Sequence, residues 1–216
     1  NNQEYITFVG TDSYRLAEYK IPHEWKAQDM NIIVPKSAIN DIKRVADYCL
    51  SKDQHNKVKI SYTSNMMMCE FTLGNMSITT NSLLIQGNFP DYTNEKILPT
   101  AFNTTITLDG ASTDKAIRKI AILTKDNNSF IHLVSASNTL QVSSGSTDLW
   151  DAKTSLSAVI DGGSLDVGLN GKHIADFIKH VDTDRIVMHI VDNLAPIVLW
   201  EPDNDQFKYV IRPVKQ

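Results

Sequence analysis

Two periodicities divide this chain and limit what it can fold into. Ten short segments read as strands, many of them alternating apolar with polar residues: Ile6–Val9, Lys57–Tyr62, Cys69–Leu73, Met76–Thr80, Thr104–Leu108, Phe130–Val134, Leu140–Ser143, Arg185–Ile190, Ile197–Trp200 and Tyr209–Ile211. A period of two is what a half-buried antiparallel strand requires, because successive side chains point to opposite faces. Asn, Asp, Gly and Ser fill the gaps, as turns demand. Only three segments have helical period. Pro35–Cys49 puts Ala38, Ile39, Ile42, Val45, Ala46 and Cys49 on one face, with Pro35 suited to the first turn. Ser112–Leu123 puts Ala116, Ile117, Ile120 and Ala121 together, with Ser112 or Thr113 as the expected cap. Gly171–Val181 turns Ile174, Ala175, Ile178 and Val181 inward, capped by Asn170.

Each helix shares one context. A short strand precedes it (Asn31–Val34, Thr105–Leu108, Ser164–Leu169) and a strand meander follows. The unit strand–helix–strands therefore starts near residues 31, 104 and 164. That spacing is too wide for a solenoid repeat but suits duplicated half-domains. Residues 1–30 read as the tail of a fourth unit without its helix. The polar stretch Tyr92–Ala101 places a domain boundary near Pro99, giving domains 1–99 and 100–216. The expected fold class is thus α+β, with duplicated strand–helix–strand half-domains and antiparallel sheets.

Composition narrows the function classes. The 216 residues are 42% apolar and 21% charged, which excludes a disordered chain. Apolar runs stay well short of the roughly 20 residues of a membrane helix, and no leader pattern opens the chain. Two cysteines, Cys49 and Cys69, make neither a disulfide framework nor a zinc site. The six histidines lack an H-E-x-x-H pattern, and neither a P-loop nor a GxSxG motif is present, so enzyme signals are weak. His173 and His180 share one helix face and read as solvated or phosphate-facing; Met66–Met68 read as core packing. The formal charge is −4, but it is unevenly placed. The three helical segments carry eight cations (Lys36, Lys43, Arg44, Lys115, Arg118, Lys119, Lys172, Lys179) against Asp41, Asp47, Asp114 and Asp176. They net +4 and the remainder nets −8. Three solvated amphipathic faces would account for this, and so would a phosphate-attracting lining.

Four motifs then occur in order. Phe8-Val9-Gly10-Thr11-Asp12-Ser13-Tyr14-Arg15-Leu16-Ala17 resembles the ATD-(G/S)-HRLA signature of the bacterial DNA polymerase III β subunit, the sliding clamp. Ile33-Val34-Pro35-Lys36 resembles that family's IVPRK helix start. Gly87-Asn88-Phe89-Pro90-Asp91-Tyr92 with Ile97-Leu98-Pro99 resembles its FPDY loop, and Tyr209–Lys215 its C-terminal Y-x-(I/V)-x-P-(V/M)-R. The resemblance covers the whole chain but roughly the C-terminal three-fifths of the family's length. Asn1, standing where a Met would open a natural chain, reads as the sign of a cut segment.

The resemblance implies a non-enzymatic processivity factor without a cofactor or metal, cytoplasmic, with helices lining a ring of two subunits around double-stranded DNA. The eight helix cations would face that DNA without reading sequence. Polymerase, clamp-loader and repair proteins would dock short linear motifs into a groove walled by Thr11, Tyr14, Arg15, Leu16, Pro90, Ile97, Leu194, Val210, Arg212, Pro213 and Val214. Tyr14 stands where the family has His, and Arg212 where some members have Met. Ile122 and Leu123 would meet the second subunit. Asp148–Lys153 is less acidic than the family's matching strand and offers Trp150 as an exposed aromatic. An alternative is a β-rich protein-interaction domain with no DNA role, whose cations should scatter; a small-molecule enzyme would need a deep polar pocket.

Overall fold

The computed structural model describes residues 4–23, 31–124, 128–144, 152–181, 184–201 and 204–214. In chain order the elements are β1 (Glu4–Thr11), β2 (Arg15–His23), α1 (Lys36–Lys52), β3 (Val58–Tyr62), β4 (Met66–Leu73), β5 (Met76–Leu83), β6 (Thr104–Asp109), α2 (Gly110–Leu123), β7 (Phe130–Ala136), β8 (Thr139–Ser143), β9 (Lys153–Gly162), β10 (Asp166–Asn170), α3 (Gly171–Ile178), β11 (Arg185–Ile190), β12 (Ile197–Glu201) and β13 (Asn204–Ile211). They form two compact units, one of residues 1–24 with 92–216 and one of residues 25–91.

In the larger unit ten strands form one sheet in the order β1-β2-β13-β12-β11-β6-β9-β8-β7-β10, antiparallel at every step. The pairing shows a duplication. β6 lies between β11 and β9, and β10 lies beside β7, with the tail after β13 closing on its other side through Val214 N–H to Gly168 O at 2.8 Å. The helix starts repeat too. Gly110 N–H donates to Asp184 O and Gly171 N–H to Ser129 O, each at 2.8 Å, tying the helix N-terminus to the residue just before β11 or β7. Helices α2 and α3 pack on each other over one face of the sheet. Ala116, Ile117 and Ile120 meet Ile174, Ala175 and Phe177 there, above inward residues such as Ile106, Leu133, Leu156, Ile186, Leu199 and Ile211.

Strands β12 and β13 are buried on both faces. Ile197, Leu199, Tyr209 and Ile211 point to the helix side, while Val198 and Val210 between them point away, as a period of two requires. On that far side Leu16, Leu98, Val198 and Val210 form a second small core, packed by Val9, Tyr92, Phe102 and Trp200. The segment 92–102 thus covers the outer face of β2, β13 and β12.

The smaller unit is the meander β3-β4-β5 with α1 across it. Cys49, Met67, Cys69, Phe71 and Leu84 make its core. Met67 is buried and Met66 is exposed, as strand alternation dictates, so the methionine run is only partly core.

The sequence expectations need five corrections. Asn31–Val34 is not a strand: Ile32 and Val34 pack on the small core, but among the described residues one backbone bond, Ile85 N–H to Ile33 O at 2.9 Å, joins it to the meander's end, and a ladder needs more. Ile39 is exposed rather than inward. Pro35 is the N-cap of α1, without a side-chain cap bond, not a first-turn residue. Asp109, not Ser112 or Thr113, caps α2, its carboxylate accepting from Ser112 N–H at 2.7 Å. α3 stops at Ile178, and Phe177 joins its buried face. Asn170 caps α3 as expected, accepting from Lys172 N–H at 2.9 Å. Strands β2 and β9 are additions.

Candidate functional site

The turn between β1 and β2 is built by short polar side chains. Thr11 Oγ1 donates to Arg15 O at 2.8 Å, and Asp12 Oδ1 accepts from the N–H of Tyr14 and of Arg15, each at 3.1 Å. Ser13 takes a positive φ of 75°, within reach of a small residue in a turn held this way. The ladder pairs Leu16 with Val210 and Arg15 with Ile211. One step further, Arg212 N–H donates to Tyr14 O at 2.9 Å. The first signature and the C-terminal motif are therefore neighbours in space, although nearly the full chain separates them.

Arg15 is the hub of this region. Its Nε donates to Asp12 Oδ2 at 3.0 Å, and its Nη1 donates to Asp176 Oδ2 at 2.7 Å and to Tyr209 Oη at 3.0 Å. It so joins the β1–β2 turn to α3 and β13. Burial pushes the Asp176 carboxyl up, but hydrogen bonds from Arg15 and Lys179 outweigh it and hold it below the usual carboxylate range. Asp12 is lowered in the same way, by Arg15 and two backbone N–H groups against its burial. His173 lies beside this network, not on a solvated face: its Nδ1 is buried without a partner, and burial, then the charge of Arg15, pushes its pKa down.

Leu16 and Val210, paired across β2 and β13, face away from the hub into the far-side core. Leu16 and Val210 are 5% and 2% exposed, so they form a floor rather than a free wall. Tyr14 (65% exposed), Ile97, Leu194 (74%) and Val214 stand out in solvent. Thr11 and Arg212 are exposed and Pro213 half-buried. Pro90 is exposed but belongs to the smaller unit. Leu194 sits on a turn whose Asp192 carboxylate accepts from Leu194 N–H at 2.7 Å and Ala195 N–H at 2.8 Å. The Tyr92–Leu98 cover is anchored from below: Tyr92 Oη donates to the buried Glu18 carboxylate at 2.8 Å, and Lys20 Nζ approaches its other oxygen at 3.2 Å. Burial and the Glu18 carboxylate push the Tyr92 phenol up to about 12. Glu18 interrupts the apolar pattern of β2, which is why that strand was hard to see.

Behind the floor, His189 stacks on Trp200 with ring centroids 3.6 Å apart and lies 4.9 Å from Phe102. Its Nδ1 is 3.3 Å from Thr105 Oγ1 and its Nε2 is buried without a partner. His189, Trp200 and Thr105, like Glu18 and Asp176, carry no motif signal, because each sits in an ordinary strand or helix position; Phe102 sits in the segment before β6, and Tyr209 opens the C-terminal motif without being among the expected groove residues.

All eight helix cations are exposed. Four make ion pairs within their helix: Lys43–Asp47 at 2.6 Å, Arg44–Asp41 at 3.2 Å, Arg118–Asp114 at 2.7 Å and Lys179–Asp176 at 3.2 Å. Among the described residues no ion pair engages Lys36, Lys115, Lys119 or Lys172. In the larger unit Lys115, Arg118 and Lys119 lie on the side of α2 opposite its buried face, Lys172 is exposed on α3, and Lys179 is its exposed C-cap. Ile122, 75% exposed, shares that side of α2. The side chain of Leu123, residues 148–151 including Trp150, and Lys215 lie outside the described residues.

Comparison with known proteins places this geometry. Residues 1–91 match the central domain, and residues 95–215 the C-terminal domain, of the family described as DNA polymerase III beta subunit. A Beta sliding clamp from Staphylococcus epidermidis is 25% identical over 209 residues, which is 96% of this chain and 52% of that protein. One from Staphylococcus aureus is 26% identical over the same shares. The chain spans about half the length of the curated relatives it matches. The crystal structure of a DNA polymerase sliding clamp from Pseudomonas aeruginosa with ligand matches with a TM-score of 0.86 at 25% identity, over 100% of this chain and 56% of that one. A sliding clamp from Bartonella birtlesii bound to griselimycin shares the fold, with a TM-score of 0.87 at 22% identity over 100% and 56% of the two chains. With two successive domains matched in order on one shared fold, this chain belongs to the DNA polymerase III beta subunit family.

Proposed function

We propose that this chain is the greater part of one subunit of a sliding clamp, a non-catalytic processivity factor that closes around duplex DNA and tethers replication and repair proteins to it. The observation that carries this reading is the ordered match to two consecutive domains of the family. Residues 1–99 would be the larger part of the middle domain and 100–216 the complete last domain, with β2 against β13 as the seam where the first hairpin joins the larger unit. The protein would act in the cytoplasm.

The electrostatics suit this role. Helices netting +4 on a chain of −4 present exposed cations that attract phosphates, while the remainder, at −8, repels them. Exposed intrahelical ion pairs are weak, so Lys43 and Arg44 can exchange a carboxylate for a phosphate at little cost. Contacts of this kind carry no sequence information, as sliding requires. Exposed Ile122, with Leu123, would meet a second subunit.

The partner groove would use Tyr14, Ile97, Leu194 and Val214 as apolar walls over the floor of Leu16 and Val210, with Thr11, Arg15, Arg212 and Pro213 at its polar edge; Pro90 enters through its motif alone. Polymerase, clamp-loader and repair proteins would present short linear motifs to it. The test is fluorescence anisotropy with a labelled peptide rich in Gln, Leu and Phe. Saturable binding is expected, weakened about tenfold by Leu194→Asp, which removes the burial of one exposed Leu side chain. Leu194 is the better probe than Leu16, because a Lys at Leu16 would break the floor itself. Absence of saturable binding, or binding indifferent to Leu194→Asp, would refute the groove.

A further inference from the structure

Of the two arginines in these motifs, only one lacks a carboxylate partner among the described residues. Arg15 is committed to Asp12, Asp176 and Tyr209. Those two carboxylates, with Lys179 bound to Asp176, leave the cluster neutral. Arg212 differs. It is exposed, and among the described residues its side chain meets no carboxylate. Its backbone is nevertheless held tightly. Arg212 N–H donates to Tyr14 O at 2.9 Å, and two residues on Val214 N–H donates to Gly168 O at 2.8 Å, with Pro213 between them restricting φ. The stem of Arg212 therefore leaves from a fixed point beside Tyr14 and next to Val210, whose side chain belongs to the floor. The Asp192 carboxylate accepts from the N–H groups of its own turn.

A fixed, uncompensated cation at the rim of an apolar surface selects for an anion placed next to an apolar anchor. We propose that Arg212 makes this groove selective for linear motifs that carry a carboxylate directly beside their apolar anchor residues. The inference rests on the peptide-groove reading above and adds the chemistry of the preferred partner. Arg212 acts here by direct contact with the peptide, its aliphatic stem lying on the apolar surface and its head at the rim.

The experiment compares two amidated, N-terminally labelled peptides, Gln-Leu-Ala-Leu-Phe-Asp and Gln-Leu-Ala-Leu-Phe-Asn, on the full chain by anisotropy. The Asp peptide is expected to bind about threefold to fivefold tighter at low salt, the range of a solvent-exposed ion pair. That ratio should shrink toward one at about 1 M salt, where the Debye length is about 3 Å. In Arg212→Gln the ratio should fall to one, and in Arg212→Lys most of it should return, whatever the common affinity of either variant. Equal affinities in the unaltered chain, or a ratio that survives Arg212→Gln, would overturn the selectivity while leaving the groove standing. Failure of both peptides to bind saturably would overturn the groove and the selectivity together.

Discussion

Acidification should weaken the larger unit chiefly through His189, with His173, also held down by burial, adding in the same direction. Its ring is 9% exposed, stacked on Trp200 at 3.6 Å, and its Nε2 lacks a partner. Burial pushes its pKa from the ordinary 6.5 down to about 4. The sign follows from linkage. As pH falls below 6.5 the unfolded chain binds a proton at this position and the folded chain does not, so stability drops until the folded pKa near 4 is reached. The slope is at most about 1.4 kcal/mol per pH unit, and over this window it sums to roughly 3 kcal/mol. Against the ~5–15 kcal/mol of a typical domain that is a large share. Urea unfolding at pH 7, 6 and 5 should show the loss, and His189→Leu should reduce the slope over this range, leaving the part that His173 contributes. The carboxyls of Asp12 and Asp176, held below their usual range, add stability that is lost only as pH falls through lower values still, so the two effects separate. An NMR midpoint for His189 near 6.5, or the same pH slope in the Leu variant, would refute the reasoning. Because Phe102 and Trp200, which enclose His189, also pack against Leu16, Leu98, Val198 and Val210, peptide affinity should fall with stability.

Three further outcomes are expected. Tyr92→Phe removes the hydroxyl that donates to the 2%-exposed Glu18 and should cost about 1–3 kcal/mol in urea unfolding; in Glu18→Gln, where no buried carboxylate is left short of a donor, the same change should cost less. Arg15→Ala should raise the Asp176 pKa measured by NMR and cost about 1 kcal/mol at pH 7, since the pair is a quarter exposed; an unmoved Asp176 pKa would show that Lys179 suffices. Gly168→Ala places a Cβ 2.5 Å from Phe130 and 2.8 Å from Val214 O. It should free the tail, read as faster amide exchange at Val214, and unchanged exchange would show that β10 shifts to accommodate it.

Local pattern carried the architecture a long way. Three helices, most strands and the strand–helix–strands repeat were legible because burial on one face writes a period of two or 3.6 into the sequence. β9 had the signal in Leu156, Ala158 and Ile160, but its polar neighbours diluted it. β2 was hidden by Glu18 and Lys20, whose pairing with each other and with Tyr92 no local rule foresees. Asn31–Val34 failed in the opposite sense: it has strand composition but not a ladder of partners. The caps show the same divide, since Asn170 was evident from its position, whereas Ser112 or Thr113 was the expected cap of α2 and Asp109, just after the expected strand, takes that place.

The candidate site was legible as motifs and not as a site. Thr11–Leu16 and Val210–Val214 are recognisable by residue type, but only the β2–β13 register sets Leu16 against Val210 and Tyr14 beside Arg212. Exposure then sorted the residues, putting Leu16 and Val210 in the floor and leaving Tyr14 and Leu194 free. The commitment of Arg15 and the freedom of Arg212 were beyond sequence for the same reason. Both are arginines near a chain motif, and which one finds carboxylates depends on Asp176 arriving from α3, more than 150 residues away. By itself the sequence determined the periodicities, the duplicated unit and the family, because these depend on residue order and type. Tertiary structure alone decided which charges are cancelled and which apolar groups stay exposed, because both depend on distance between segments the chain order keeps apart.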